Sequence, residues 1–425
     1  MKQNPSRFSD SKGRVKFTDP GQEDRRRRGL PIVPVFDGYR AIAIFGIIVY
    51  HLLGVAPFNE PWMDEWRQTQ TATFGQLIDV LFIVSGFVVF LPTAARGNFG
   101  SIGGYAVRRA ARLLPAYYMI LVLTMLVLAF APTEFERSFP TLPAIGLHLI
   151  DMQTLTSYST ELGAIGFGVV GPVWTLSVEV GFYLVLPLVA MSFYRHPRIG
   201  LALGAVVAIA WGQAGIHADA VTNFFGIGIS EETANRINVA TGIQFPFWAF
   251  SFALGMAGAK LYVAVKERWR EADYRRWAGR AQLAGLAGLL LFCVLVYLSP
   301  ENSGGDGVAV AEAVRHSPLI MLGYSASLAT LMVATALGPG WTRRPFDNRL
   351  VRWLAEVSYG AYLSHALFLF IGTYTFGATF QGNVQTLVAW SAAVLPATVL
   401  YGYISARYLE QPIRRWARKF GRNAT

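Results

Sequence analysis

An apolar stretch near the start of the chain carries an arginine and a histidine that could do chemistry. It runs from Val35 to Leu53 and is long enough to enter a bilayer, yet it contains Asp37, Arg40 and His51. Ionisable side chains in such a segment are costly, and they often mark functional sites. On an α-helix, Arg40 and His51 would lie on one face, about 16 Å apart along the axis. A guanidinium can bind an anion, and an imidazole can act as a general base.

A carboxyl group in the second apolar stretch could cooperate with this histidine. Asp79 is expected about 8 Å below the outer end of its helix, at a depth similar to that of His51. If the two antiparallel helices pack together, the carboxylate would fix the tautomer of the imidazole and stabilise its protonated form. Structural alternatives stay open at this point: Asp79 could bond neighbouring backbone, Arg40 could extend to the lipid headgroups, and His51 could satisfy a packing neighbour.

Further polar residues flank the third and fourth apolar stretches. Arg109 and Arg112 are three residues apart and share a helix face, at a helix start that follows Gly103 and Gly104. Guanidinium groups beside a helix N-terminus suit a phosphate or diphosphate, although arginines that only fix membrane topology would lie there too. Glu179, near the mouth of the fourth stretch, could bind a sugar hydroxyl or hold a catalytic partner.

The elements that must position these residues are membrane-spanning helices. Of 425 residues, 53% are hydrophobic and only 15% charged, and the mean hydropathy is +0.38. Apolar runs of about 20 residues recur along the chain, as expected of a multi-pass membrane protein. We therefore predict an all-α polytopic fold with ten spans, at residues 35–54, 73–92, 112–131, 178–194, 200–216, 243–264, 281–298, 318–338, 356–378 and 385–406.

The charge distribution predicts how the spans are oriented. The net charge is +11, but most of the 37 Lys and Arg residues fall in short segments on one side of the spans, which argues against nucleic-acid binding. Because cytoplasmic loops collect basic residues, both termini are expected in the cytoplasm. Residues 1–34 are predicted to be a disordered basic tail, 35–408 the membrane domain and 409–425 a second basic tail.

Two regions between and within the spans call for separate predictions. Segment 132–177 contains a short apolar stretch, Leu142 to Ile150, in which a re-entrant or interfacial helix is expected because the stretch is too short to cross a bilayer. The single cysteine, Cys293, excludes disulfides within the chain and cysteine-based metal clusters. We expect structural roles for the later polar residues His365 and Glu410, and no metal site.

Six stretches together resemble the acyltransferase-3 family of multi-pass membrane acyltransferases, which modify hydroxyl groups of cell-surface glycans, lipids and some antibiotics. They occur in the family's order across about residues 33–418. The first has ten residues between its arginine and its histidine, as in the family. The stretches are FDGYRAIAIFGIIVYHLLG, IDVLFIVSGF, RRAARLLPAYY, WTLSVEVGFYLVLPL, VSYGAYLSH and LEQPIRRW.

The resemblance implies a role for each candidate residue. Catalytic roles fall on His51, Asp79 and Glu179, and binding of the acyl donor falls on Arg40, Arg109 and Arg112. Where the family usually has two adjacent acids, this chain has Glu179 followed by Val180, so Glu179 alone takes that role.

The resemblance implies an O-acyltransferase, and more specifically an O-acetyltransferase, in the bacterial cytoplasmic membrane. Acetyl-CoA or another acyl-CoA is the donor substrate, and no cofactor is expected to be permanently bound. The acceptor is a hydroxyl of a cell-envelope glycan, glycolipid or related molecule, and membrane lipids surround the protein. The residues alone also fit a transporter or flippase in which His51, Asp79 and Arg40 relay protons, or a lipid-binding scaffold. The arginine pair suits the transporter less well, and a scaffold gives no reason for His51.

Overall fold

The computed structural model describes residues 33–55, 75–130, 139–159, 163–297, 318–376 and 384–421, so nearly all of the predicted N-terminal tail lies outside it. Throughout these ranges the regular structure is helical. The helices are α1 (Pro34–Val55), α2 (Ile78–Arg96), α3 (Ile102–Phe130), α4 (Leu142–Leu149), α5 (Trp174–Arg195), α6 (Pro197–Ile216), α7 (Ala218–Phe224), α8 (Glu231–Gly242), α9 (Ala249–Arg268), α10 (Glu271–Tyr297), α11 (Pro318–Leu337), α12 (Gly340–Arg343), α13 (Arg349–Phe376), α14 (Val384–Ile404) and α15 (Gln411–Ala417).

The prediction of an all-α polytopic membrane protein is confirmed. Within the described ranges, ten helical segments are long and apolar enough to cross a membrane. Several begin earlier than hydropathy predicted: α3 at Ile102 rather than 112, and α10 at Glu271 rather than 281. The apolar signal stops at the first charged residues, whereas the backbone hydrogen bonding of a helix continues through them.

Close contacts between small residues hold the centre of the bundle together. Helices α2 and α9 cross where a Cβ on Gly86 would lie 2.3 Å from the Phe252 carbonyl oxygen, and one on Gly255 would lie 2.2 Å from that of Ile83. Small residues of this kind let the backbones of membrane helices approach closely. Helices α2 and α9 thus form a closely packed pair, α1 packs against α2, and α13 packs against α1.

The segment between α3 and α5 reaches beside the middle of a spanning helix. The hydroxyl of Tyr117, halfway along α3, donates to the His148 carbonyl at 2.9 Å and to Gln153 Oε1 at 3.0 Å. His148 lies in the last turn of α4, and its Nε2 accepts a hydrogen bond from the Gly166 amide at 2.8 Å. These contacts fold α4 and the following 3₁₀ turns against α3, as a re-entrant segment would require.

The chain remains helical beyond the last predicted span. A π-helical turn, Ser405–Glu410, follows α14 and leads into α15, which packs against α3. Such π-helical turns are rare, and they often occur at functional sites. Here the turn places Glu410, which is only 2% exposed, inside the bundle. The segment predicted as a C-terminal tail therefore begins as part of the folded domain.

Candidate functional site

A cavity between five spanning helices contains three of the predicted site residues. Its walls come from α1, α2, α3, α5 and α13, and Arg40, Arg112 and Glu179 all line it. Tyr359 and Tyr362 of α13 complete much of its polar surface. Residues that lie 139 positions apart in the sequence, such as Arg40 and Glu179, thus meet at one site because α1 and α5 face the same space.

Arg40 presents hydrogen-bonding capacity to this cavity. Its Nη2 lies 3.5 Å from the Ala355 carbonyl oxygen and 3.6 Å from Asp37 Oδ1. Its Nε is buried and has no hydrogen-bond partner among the described residues. A guanidinium carries five N–H donors, so these contacts leave Arg40 able to bind an anion.

A buried carboxylate balances the charge around Arg40. Glu410 forms an ion pair with Arg414, at 3.7 Å, and accepts a hydrogen bond from Ser405 Oγ at 3.0 Å. The charges of Arg40 and Arg112 also act on Glu410. Glu410 is therefore the counter-ion of Arg414, and its charge offsets part of the repulsion among the three arginines.

The two arginines of the predicted pair have different surroundings. Arg112 lines the cavity, whereas the Cζ of Arg109 lies 5.5 Å from the centre of the Tyr183 ring, in a cation–π contact. The Tyr183 hydroxyl donates a hydrogen bond to Glu179. Arg109 is thus connected to the cavity through Tyr183 rather than being part of its lining.

Two donors hold Glu179 in place. Ser85 Oγ donates to its Oε1 at 2.5 Å, and the Tyr183 hydroxyl donates to the same oxygen. The carboxylate is therefore fixed on the cavity wall between α2 and α5. A fixed acceptor of this kind can receive an N–H or O–H group of a ligand.

His51 contacts a second histidine. Its Nδ1 lies 3.0 Å from Nε2 of His365, and the two rings are stacked with centres 5.1 Å apart. His365 is completely buried, and its Nδ1 lies 2.5 Å from the Tyr362 carbonyl oxygen. Tyr362 lines the cavity, so the histidine pair lies one turn of α13 beyond it.

The expected pairing of His51 with Asp79 is not observed. Helices α1 and α2 do pack together, with Phe36 and Phe87 stacked at 3.6 Å between ring centres. Asp79, however, is 3% exposed and lies beside Ser251 of α9 and Ser325 of α11. His51 and Asp79 were expected at a similar depth in adjacent helices, but their side chains do not meet, because Asp79 faces α9 and α11.

A buried acid in the segment after α4 lies close to the site. Asp151 accepts hydrogen bonds from Gln153 Nε2 at 3.0 Å and from Ser177 Oγ at 3.2 Å, and the Glu179 charge acts on it. Its φ of 57° is rare for a residue with a side chain. Burial raises the pKa of the Asp151 carboxyl from 3.8 to about 7, with hydrogen bonds from Gln153 and Ser177 acting in the opposite direction.

Comparison with known protein families identifies the family to which this chain belongs. The profile of a family of membrane acyltransferases, described as an acyltransferase domain, matches residues 33–407. The chain belongs to the acyltransferase-3 family. The match covers every helix that lines the cavity, from α1 to α13.

Acyltransferase-3 relatives of this chain include several O-acetyltransferases. A peptidoglycan O-acetyltransferase of Listeria monocytogenes is 23% identical over 397 residues, which is 90% of this chain and 56% of that protein. A putative O-acetyltransferase of Staphylococcus aureus and a putative peptidoglycan O-acetyltransferase of Bacillus subtilis are each 22% identical over 404 residues. Both alignments cover 90% of this chain. They cover 57% of the length of the S. aureus protein and 55% of the length of the B. subtilis protein. No solved structure matches the chain significantly.

The acyltransferase-3 site contains residues that the sequence interpretation did not assign. His365 was expected to have a structural role, but it contacts His51 directly. Tyr362 and Tyr359 were not singled out, although both line the cavity. The signal available in the sequence was the stretch VSYGAYLSH, which holds all three residues and resembles a family motif.

Proposed function

We propose that this protein is an O-acyltransferase that transfers an acyl group, specifically an acetyl group, from acyl-CoA to a hydroxyl of a cell-envelope glycan or glycolipid. The observation that carries the proposal is that one cavity holds Arg40 and Arg112, and that Arg40 shares a face of α1 with His51. Ile44 lines the same cavity, and His51 lies seven residues further along the same helix face, a rise of about 10 Å. A cationic site and a potential base thus lie along one face of α1.

The arginines would bind the donor. Coenzyme A carries phosphate groups, and guanidinium groups bind phosphate oxygens through charge-assisted hydrogen bonds. Arg40 retains an unpartnered buried Nε among the described residues, and Arg112 lies in the same cavity. The pantetheine arm would extend along the cavity, where Glu179 can accept a hydrogen bond from one of its amide N–H groups.

His51 would carry out the transfer step. Its imidazole removes the proton from the acceptor hydroxyl, and the oxygen attacks the thioester carbonyl carbon. The carbon–sulfur bond then breaks, and the CoA thiolate takes the proton from the imidazolium. In the second possible route, the imidazole attacks the thioester itself and passes the acyl group to the acceptor. The products, an ester and free CoA, are the same in both routes.

The names of two relatives support a glycan acceptor, since both refer to peptidoglycan. We propose that the acceptor binds at the end of the cavity near His51, and that the arginines face the cytoplasm, where acyl-CoA is present. The protein would then lie in a bacterial cytoplasmic membrane with both termini inside. No step in this scheme uses Asp79, whose assignment as a catalytic residue stays a prediction.

The test is transfer by purified protein in lipid nanodiscs. Radiolabelled acetyl-CoA is supplied with envelope glycan fractions, and base-labile label on the glycan is measured. We expect label with the unchanged protein and none with His51→Ala, which should still bind CoA because the arginines are intact. The control is His217→Ala, an exposed histidine after α6, which should retain full activity. Full transfer by His51→Ala would contradict the assignment, and proton-driven uptake without acylation would identify a transporter.

A further inference from the structure

The hydrogen bonds of the histidine pair determine which nitrogens carry protons. The Tyr362 carbonyl oxygen can only accept, so the His365 Nδ1 that lies 2.5 Å from it must donate. A neutral imidazole carries one N–H, and the Nε2 of His365 is therefore an acceptor. The His51 Nδ1, 3.0 Å from that nitrogen, must then be the donor. The chain of bonds runs from His51 through His365 to the backbone of α13.

The consequence for His51 is a lone pair at Nε2. Because its single proton is held on Nδ1, the other ring nitrogen is free to accept a proton or attack a carbonyl carbon. The stacked arrangement of the rings, with an angle of 26° between their planes, also restricts rotation of the imidazole. His365 is completely buried, so water cannot readily replace it as the acceptor.

We propose that His365 is a positioning residue that sets the tautomer of His51 and presents its Nε2 lone pair to the substrates. This inference rests on the proposed function for its catalytic meaning, although the tautomer itself can be observed without any reaction. When Nε2 of His51 takes the acceptor proton, the Nδ1–H bond to His365 remains in place and stabilises the imidazolium that forms. The proton then leaves on the CoA sulfur, and His365 is unchanged throughout.

The same arrangement serves both routes of transfer. Direct attack by the acceptor needs Nε2 as a base, and an acyl-enzyme route needs Nε2 as a nucleophile. In each case an N–H at Nε2 would block the step. The backbone anchor comes from Tyr362, whose hydroxyl contacts Thr175 of α5 at 2.9 Å and the Pro172 carbonyl at 3.0 Å. Helices α1 and α13 thus supply the hydrogen bonds that define the tautomer, and the Tyr362 hydroxyl ties α13 to α5 beside them.

The tautomer is tested first by nitrogen-15 solid-state NMR of histidine-labelled full-length protein in lipid. His51 signals are assigned by their loss in His51→Asn. We expect a protonated Nδ1 and an unprotonated Nε2 for His51 in the unchanged protein, and a rise in the Nε2-protonated form in His365→Phe. A His51 that carries its proton on Nε2 in the unchanged protein would overturn the inference, whatever the activity.

Kinetics then test the consequence. His365→Phe keeps a ring but removes the acceptor, and we expect kcat to fall roughly 100-fold while the KM for acetyl-CoA stays within about twofold. His365→Gln provides an amide oxygen as acceptor and should recover a substantial part of kcat. His217→Phe, at an exposed site, is the matched control and should leave both constants unchanged.

The outcomes separate this inference from the proposed function. If the tautomer shifts in His365→Phe but neither protein transfers acetyl groups, the proposed function fails and the tautomer assignment stands. If transfer occurs and His365→Phe keeps full kcat, the positioning role is overturned. If His365→Phe does not fold, the folded His365→Gln variant decides: a kcat lowered by roughly 100-fold relative to the unchanged protein contradicts rescue by an acceptor.

Discussion

Arg109 and Arg112 are one helical turn apart, yet only Arg112 lines the cavity. We therefore expect Arg112→Gln to raise the KM for acetyl-CoA about 10- to 100-fold, because a charge-assisted phosphate contact contributes about 1.5–3 kcal/mol. Arg109→Gln should have a smaller effect, since Arg109 packs over the Tyr183 ring. Arg280→Gln, at an exposed position of α10, is the matched control. Initial rates at varied donor concentration measure the effect, and an unchanged donor dependence in Arg112→Gln would assign this arginine to topology instead.

The limits of prediction at the residue scale follow from long-range contacts. Arg40 and His51 could be placed on one face because both lie on one helix, whose period is fixed. His365 lies 314 positions from His51, and no local pattern reports that two such side chains will meet. The same reason explains the failure of the Asp79 pairing: depth along a helix can be read from sequence, but the direction in which the side chain faces depends on α9 and α11.

At the scale of elements, the segment that follows α4 carries a pH-dependent contribution to stability. The pKa of Asp151 is raised by burial to about 7 in the folded protein, against 3.8 when exposed. The folded state therefore holds this proton more tightly, so the contribution is fully present below about pH 4 and is lost as the pH rises to about 7. Ionised Asp151 then remains buried beside the Glu179 charge.

Asp151→Asn should remove this dependence. We expect the variant to gain stability relative to the unchanged protein as the pH rises from 4 to 8, by up to about 4 kcal/mol. Thermal unfolding of the detergent-solubilised protein across this range gives the measurement. The pH trend is the readout, because any lost contact shifts both ends equally. Asp219→Asn, at an exposed site in α7, is the control, and parallel curves for Asp151→Asn and the unchanged protein would contradict the assignment.

Helices were the most predictable elements, and their ends were the least predictable. Apolar runs revealed all ten spans, since a bilayer requires about 20 such residues. The start of α3 and the helical continuation through α15 could not be read from hydropathy, because arginines interrupt the apolar signal there. The ion pair of the buried Glu410 with Arg414 compensates one of those charges, and it depends on packing against α3.

At the scale of the whole molecule, the orientation in the membrane decides whether the cavity can bind the proposed acyl-CoA donor. Arg40 lies near the start of α1 and Arg112 in the first half of α3, and basic residues cluster around the loops before these helices. The positive-inside rule predicts that these ends face the cytoplasm, the compartment that would supply the proposed acyl-CoA donor. The opposite orientation would leave the same cavity open to a compartment without that donor.

Cysteine labelling tests this orientation at the two ends of α6. With Cys293→Ala as the starting protein, single cysteines are placed at His196, between α5 and α6, and at Gly228, between α7 and α8; both positions are exposed. A membrane-impermeant maleimide should label Gly228→Cys in intact spheroplasts but His196→Cys only after lysis, because α6 crosses the membrane between them. The reverse pattern would place Arg112 outside and would exclude cytoplasmic acyl-CoA as its ligand. Labelling of both sites in intact cells would mean that α6 does not span the membrane. The orientation of α1 and α3, which is inferred from successive helices crossing in opposite directions, would then lose its support.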